Sequence, residues 1–382
     1  MSTPQPMTAR ELFLHLHAHP ELSGAEYATT ALLTQQLQAA GIRVMDSGLP
    51  TGLIASLGDA TAGPTVVLRA DIDALPIQEH TGLDYASETD GVMHACGHDL
   101  HAAALYGAAL ELAEQARHAR LPGRVLFVFQ PAEETSHGAE AVIATGLLDG
   151  AAAIIGAHGN PDLRPGQFSM EPGPVMAGVD WFRVRLDGRG GHASEPQLCD
   201  DIVLAAAGMV TELQQVVARS VAPLSACVLS VTHMEFGDAW NVLPSTGYFE
   251  GTMRNYDDAV ALGMRARLTS IVTGIAAAHG IRAAIEWVPG DTPWPATAND
   301  AALVARLTPA LEQVLEHHPI PPATGGEDFA MYARVAPGAF AMLGANGSPD
   351  APRWHNECYT VLPEALPGAV TFYRTCVQAL LA

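Results

Sequence analysis

Residues 93–101 read Met-His-Ala-Cys-Gly-His-Asp-Leu-His. Cys96 and His98 stand two apart, and a thiolate beside an imidazole is a strong ligand pair for a zinc-type cation. Gly97 between them lets the backbone bend so that both can face one point. Asp99 is expected to hold the second nitrogen of His98, as carboxylates around metal sites do. Taken alone, the run also fits a buried cysteine beside a loop of histidines. Other metal-capable side chains follow apolar runs: Asp71 and Asp73 after residues 66–70, Glu133 and Glu134 after 125–129, and His158 after 152–156. The bland alternatives are turn or cap acids for the first pair and a solvated acidic loop for the second. In open α/β sheets, however, sites lie beyond the carboxyl ends of the strands.

The elements that must carry these groups alternate. Helical spacing predicts helices over 8–18, 24–40 (closing at Gly41), 100–118 and 138–148, between the three apolar runs. His15, His17 and His19 do not share a helix face and read as surface or packing residues. The alternation predicts an α/β fold whose catalytic domain has a mixed, mainly parallel sheet flanked by helices. After a Pro/Gly-rich crossing at 173–178 the order becomes β-α-β-β-α-β, the ferredoxin-like arrangement. A second crossing at 289–295 ends it. The expected division is a metal-binding catalytic domain of residues 1–177 and 291–382, interrupted by an inserted α+β dimerisation or lid domain, 178–290. Helices near 300–317 and 363–381 return the chain to the first domain.

Composition narrows the partners. A chain of 382 residues suggests two domains. Its net charge of −22 argues against nucleic acid and anionic membranes, which need basic patches. The five cysteines, odd in number and widely spaced, are no disulfide framework. No secretory signal and no run of ~18 apolar residues is visible, so a cytoplasmic protein without a membrane span is expected.

Further motifs complete an ordered set: R-A-D-I-D-A-L-P at 69–76, Q-P-A-E-E at 130–134, A-H-G-N-P at 157–161, G-R-G-G-H-A-S at 188–194, N-V-L-P at 241–244, G-T-M-R at 251–254, G-G-E-D-F-A at 325–330, and His355-Asn356. With the C-G-H-D run, this set resembles the amidohydrolase branch of the co-catalytic metallopeptidases: hippurate hydrolases, bacterial N-acyl-amino-acid aminoacylases and plant auxin–amino-acid hydrolases. The resemblance implies two divalent ions per chain, zinc first, with cobalt, manganese and nickel as alternatives. It implies Cys96, His98, Glu134, His158 and His355 as their ligands, Cys96 being suited to bridge, and Glu133 as general base and acid. It implies that Asp71 and Asp73 stand behind the ligands, that His192 stabilises the reaction oxyanion, often from a partner subunit, and that Asn241 and Arg254 lie near the substrate carboxylate. A homodimer through the inserted domain follows from the same likeness.

The implied reaction is hydrolysis of N-acyl or N-aroyl amino acids. Two metals polarise a carbonyl and acidify water, and a carboxylate off the metals carries the proton. The chain departs from its relatives at Glu195-Pro196-Gln197 and after His355, which bears on substrate identity. A metal dipeptidase or N-carbamoyl hydrolase is the alternative on this scaffold. A non-catalytic homologue would be expected to lack Glu133 or a ligand, and none is missing.

Overall fold

Strands Thr65–Asp71, Arg124–Gln130 and Ala153–Asn160 lie side by side and parallel, so their carboxyl ends open on one edge of the sheet. Every residue of Thr65–Asp71 and Ala153–Asn160 is buried, as expected of parallel strands covered on both faces. The computed structural model describes residues 5–288 and 290–382. The full eight-stranded sheet runs Arg43–Val44, Leu53–Gly58, Arg124–Gln130, Thr65–Asp71, Ala153–Asn160, Gly338–Gly344, Gln167–Ser169, Glu316–His317. Leu53–Gly58 joins antiparallel at one side, and Gln167–Ser169 pairs antiparallel with Gly338–Gly344 at the other. Helices His98–His118 and Leu366–Leu381 contribute Leu105, Leu112, Phe372 and Val377 to the core beneath Leu68 and Phe127. Each such buried side chain contributes ~1.5–3 kcal/mol relative to exposure. His158 lies within its strand, two residues before the end, rather than just past it.

The predicted helix over 300–317 ends at Leu311. Beyond it Glu316 N–H donates to Gly166 O (3.0 Å) and His318 N–H to Phe168 O (2.7 Å). The open edge of Gln167–Ser169 thus claims the backbone that helical spacing would have wound up.

The second unit, Met176–Thr297 with Pro322–Glu327, has its own core. Its strands run Cys227–Phe236, Thr246–Asn255, Gly178–Asp187, Arg282–Val288, each antiparallel to its neighbour. In chain order this is 2-3-1-4, the ferredoxin-like permutation expected of β-α-β-β-α-β. Helices Ile202–Gln215 and Asp258–His279 bury Ile202, Met209, Leu268 and Val272 against one face. Segments Ile202–Ser220 and Asp258–His279 are long and apolar enough to cross a membrane, but here they are the cover of this sheet. The insert extends past the expected boundary at 290. Arg265 Nη1 donates to Gly290 O (2.7 Å) and Asp291 O (2.8 Å), which keeps the crossing on this unit as far as Thr297. Residues 322–327 join it because Ala177 N–H is shared between Ala323 O (3.1 Å) and Gly325 O (3.0 Å).

The first helix, Ala9–Ala18, starts at a capping box in which Thr8 and Glu11 bond each other's backbone N–H. Its buried face carries His17. The imidazole places Nδ1 2.6 Å from Asp99 Oδ2 and Nε2 3.3 Å from Glu79 Oε1. His17 is therefore a buried ionic link, more than a packing residue. Burial opposes its charge, but the two carboxylates outweigh burial and raise its pKa to about 10. Its contribution to stability is therefore complete below pH 6.5 and is lost as pH rises through about 10. His17→Gln should cost ~3–5 kcal/mol near neutrality, because it strands two buried carboxylates. Urea unfolding at a series of pH values checks this: the gap between wild type and variant should be widest near pH 6 and narrow toward pH 10.

Candidate metal centre

Gly97 caps helix His98–His118 with a left-handed backbone, φ 89°, which turns Cys96 and His98 to the same side. The ligand atoms of Cys96, His98 and His158 lie within 4.8 Å of one another, as do those of Cys96, Glu134 and His355. The two groups share Cys96. Cys96 Sγ stands 3.3 Å from His158 Nε2, near the ~3.5 Å separation of thiolate and imidazole on one tetrahedral ion. His355 Nε2 stands 3.3 Å and His98 Nε2 3.9 Å from Glu134 Oε1. His98 Nε2 and Glu134 Oε1 are buried without a hydrogen-bond partner among the described residues. Burial of such atoms is costly unless something satisfies them, and a cation between them would satisfy both. The donor set and its geometry fit two divalent ions.

Carboxylates and carbonyls orient the imidazoles of His98, His158 and His101. His98 Nδ1 meets Asp73 Oδ1 at 3.1 Å, which points Nε2 at the cluster. Asp99, expected in that role, serves His17 instead. Helical geometry sends Asp99 to a different face of the helix from its neighbour His98. His158 Nδ1–H donates to Gly159 O (2.9 Å), leaving Nε2 toward Cys96. Trp354 Nε1–H donates to the same carbonyl at 2.8 Å. Asp71 bonds His101 Nδ1 (2.6 Å), and His101 Nε2 accepts from Gly159 N–H (2.8 Å). Both nitrogens of His101 are thus engaged, and it acts behind the ligands. Its i,i+3 spacing from His98 on one helix face was the available signal for it.

The fully buried Arg69 anchors this arrangement. It donates to Asp71 Oδ2 (2.7 Å), Gln130 Oε1 (2.8 Å) and Asp328 Oδ1 (2.7 Å). Burial would raise Asp71, but His98, His101 and Arg69 together hold it well below the usual carboxylate range. Burial dominates at Asp328 and pushes it up to about 6 against the pull of Arg69. Burial, followed by Glu134, raises the Cys96 thiol well above its ordinary value. A bound cation reverses that balance by favouring the thiolate.

Glu133 and Glu134 follow strand Arg124–Gln130. Side chains of adjacent strand residues point to opposite faces, yet His98, Glu133 and Glu134 offer ligand atoms within 4.8 Å of one another. The chain has left the extended conformation here: Ala132 is left-handed, at φ 52°, and leads into a turn over 133–136 in which Ser136 N–H donates to Glu133 O (2.7 Å). His355 is also left-handed, at φ 65°. Glu134 N–H donates to Asp73 Oδ2 (3.0 Å) and Asp328 N–H to Glu133 Oε1 (3.4 Å).

The other expected residues belong to the insert. His192 is exposed on a short strand paired with Val242–Leu243, and Ala193 N–H donates to Asn241 O (3.0 Å). Ser194 N–H donates to His192 Nδ1 (3.2 Å), so in the neutral ring Nε2 carries the proton. Arg254 lies elsewhere in the unit. Thr246–Asn255 pairs without a break along Gly178–Asp187, which sets Arg254 ~26 Å from the Thr246 end that follows Asn241. The insert of one chain therefore does not bring Asn241 and Arg254 to one point. Arg254 is half-buried and donates to Thr252 Oγ1, Met253 O (3.0 Å) and Thr324 O (3.1 Å), with no carboxylate among its partners in the described residues.

A mixed α/β sheet interrupted by a ferredoxin-like insert, with a cysteine shared between two ligand groups at its strand ends, defines the class of co-catalytic metallohydrolases. The profile of Peptidase family M20/M25/M40 matches residues 67–379, and the chain belongs to that family of amide-bond hydrolases. It is 40% identical over 368 residues to N-acetyl-L-cysteine deacetylase of Bacillus subtilis, covering 96% of this chain and 86% of that one. It is 35% identical over 375 residues to IAA-amino acid hydrolase ILR1-like 4 of Arabidopsis thaliana, covering 96% and 84%. The crystal structure of the Bacillus subtilis YXEP protein, described as a dinuclear metal binding peptidase, superposes with a TM-score of 0.86 at 35% identity, over 98% of this chain and 97% of that one.

Because Cys96 belongs to both ligand groups, Cys96→Ala should weaken uptake of both ions, whereas His355→Ala should weaken one. Equilibrium dialysis against zinc, read as ions bound per chain, separates the two patterns.

Proposed function

We propose that this protein is a two-metal amidohydrolase that cleaves N-acyl or N-aroyl amino acids to a carboxylate and a free amino acid. One observation carries the reading: a carboxylate not needed as a ligand, Glu133, stands beside two ligand groups that share Cys96. Cys96, His98, Glu134, His158 and His355 would hold the ions, and thiolate, imidazole and carboxylate together suit zinc. When bound, such a pair supplies Lewis acidity to the amide carbonyl and acidifies water. Glu133 takes the proton of the attacking water and returns it to the departing amine. His192, with its proton on Nε2, is assigned to the developing oxyanion. Arg254, half-buried and without a counter-carboxylate among the described residues, is assigned to the α-carboxylate of the amino acid.

The relatives support the substrate class, since one is named a deacetylase of N-acetyl-L-cysteine and the other an IAA-amino acid hydrolase. Strand Cys227–Phe236 is an edge of the insert sheet and exposes Val228 and Met234. A two-fold pairing of such edges would give the proposed homodimer, and it offers a route for His192 to serve a neighbouring site. Five free cysteines, one of them at the centre, suit a reducing cytoplasm.

Glu133→Gln should retain two ions per chain and lose at least ~10²-fold in kcat, whereas Glu134→Gln should shed metal. Steady-state kinetics on hippurate and N-acetylmethionine, with metal analysis, test this, and the reverse pattern would exchange the two roles. A dipeptide and an N-carbamoyl amino acid in the same assay distinguish the alternative substrates. Hippurate should also be cleaved with much higher kcat/KM than its primary amide, and Arg254→Ala should abolish that preference. Equal rates on acid and amide in the wild type would remove Arg254 from the substrate's carboxylate.

A further inference from the structure

Residues 17–26, outside the segment that the family profile matches, reach the centre at three points. His17 holds Asp99, Ser23 Oγ donates to Asp73 Oδ2 (2.6 Å), and Glu26 Oε1 accepts from Ala132 N–H (2.8 Å). The third contact has no account in the proposed reaction. Glu26 is fully buried. It occupies the N-cap position of helix Tyr27–Ala39, yet its side chain makes no cap bond. Glu21 serves that helix end instead, accepting from Ala28 N–H (3.0 Å) and Thr29 N–H (2.7 Å). Relieved of capping, Glu26 Oε1 accepts from Gly24 N–H (2.9 Å) and Ala132 N–H, while Oε2 has no partner among the described residues. A buried carboxylate satisfied only through backbone N–H groups is costly to keep, which points to a role at the far end of the contact.

That far end is the left-handed turn. A non-glycine residue at φ 52° is strained and persists only where its surroundings over-determine it. His137 N–H (3.3 Å) and Gly138 N–H (3.2 Å) hold the carbonyl of Ala132, and Glu26 holds its N–H. A Cβ on Gly138 would fall 1.7 Å from Pro131 O, so no side chain is tolerated at the closing position. We infer that Glu26 is a positioning residue: through Ala132 N–H it holds the left-handed backbone that leads the chain from the strand into the 133–136 turn, closed by Ser136 N–H to Glu133 O (2.7 Å), and so places Glu133 and Glu134. This rests on the roles assigned to Glu133 and Glu134 above.

The experiment compares wild type, Glu26→Gln, Glu26→Ala and Glu26→Ala with Ala132→Gly, by amide hydrogen exchange, metal content and kinetics on N-acetylmethionine. Glutamine keeps an acceptor oxygen, so exchange over 131–136 should stay slow and kcat should stay near wild type. In Glu26→Ala, exchange there should quicken ~10-fold or more, the scale of one lost backbone hydrogen bond. Its kcat should fall ~10- to 10²-fold, as for a misplaced catalytic group, with two ions per chain retained. Glycine at 132 adopts positive φ without strain, so the double variant should recover much of that kcat. A merely structural role would leave Glu26→Ala unrescued by glycine, with activity, metal and melting temperature falling together. Unchanged exchange in Glu26→Ala, absence of glycine rescue, or a folded Glu26→Gln as impaired as the alanine variant would each overturn the inference. If Glu26→Ala does not fold, exchange and kcat of Glu26→Gln decide alone. Failure of the wild type on every N-acyl amino acid would instead fault the proposed reaction, and hydrogen exchange would still report on the Glu26 contact.

Discussion

A guanidinium with no exposure to solvent, that of Arg69, lies under the centre, and the geometry above it depends on how that charge is neutralised. Isolated buried charge is prohibitively costly, so its donors must meet carboxylates or amide oxygens in good geometry. Arginine can do this in several directions at once because its planar fork presents five donors. Asp71, Gln130 and Asp328 take them. The two carboxylates pass the constraint upward: Asp71 fixes His101 and through it Gly159, beside His158, while Asp328 bonds the N–H of Ala139 and presents its own N–H to Glu133. Motifs centred on residues 69, 130, 158 and 328 are distant in the chain because one buried network needs all of them.

Two residues of the centre accept unfavourable backbone conformations. Ala132 and His355 are left-handed without being glycine. At Ala132 the left-handed backbone leads the strand into the 133–136 turn, and that turn brings Glu133 and Glu134 together where an extended chain would send them to opposite faces. His355 N–H donates to Ala95 O (2.8 Å), the residue before Cys96, and so the left-handed turn brings its ring to Glu134. The rigid sheet below and the N-terminal segment beside it supply the restraint that keeps such turns populated.

The insert follows a different logic. Its sheet is antiparallel, in the ferredoxin-like strand order, with a core of its own, and its functional candidates sit at separate ends of one long strand pairing. His192 is exposed with its tautomer set by Ser194, whereas Arg254 is half-buried among carbonyl and hydroxyl acceptors. One position presents its side chain outward, and the other holds it against backbone carbonyls.

The sequence alone was sufficient for the fold class, the three central strands and the insert topology. Apolar periodicity and strand ends are local properties, and the spacing of Cys96 and His98 around Gly97 is local too. It was not sufficient for the partners of the buried polar groups. Asp73 rather than Asp99 holds His98, His17 joins Asp99 and Glu79, and Glu26 reaches Ala132, 106 residues away. Nor did it show that the helix after Ala301 yields to a strand edge at Glu316, or that Asn241 and Arg254 part company along a strand. Those pairings are decided by strand register and helix rotation in the assembled core. They carry no periodic signature because the groups concerned come within hydrogen-bond reach only after the sheet has closed over them.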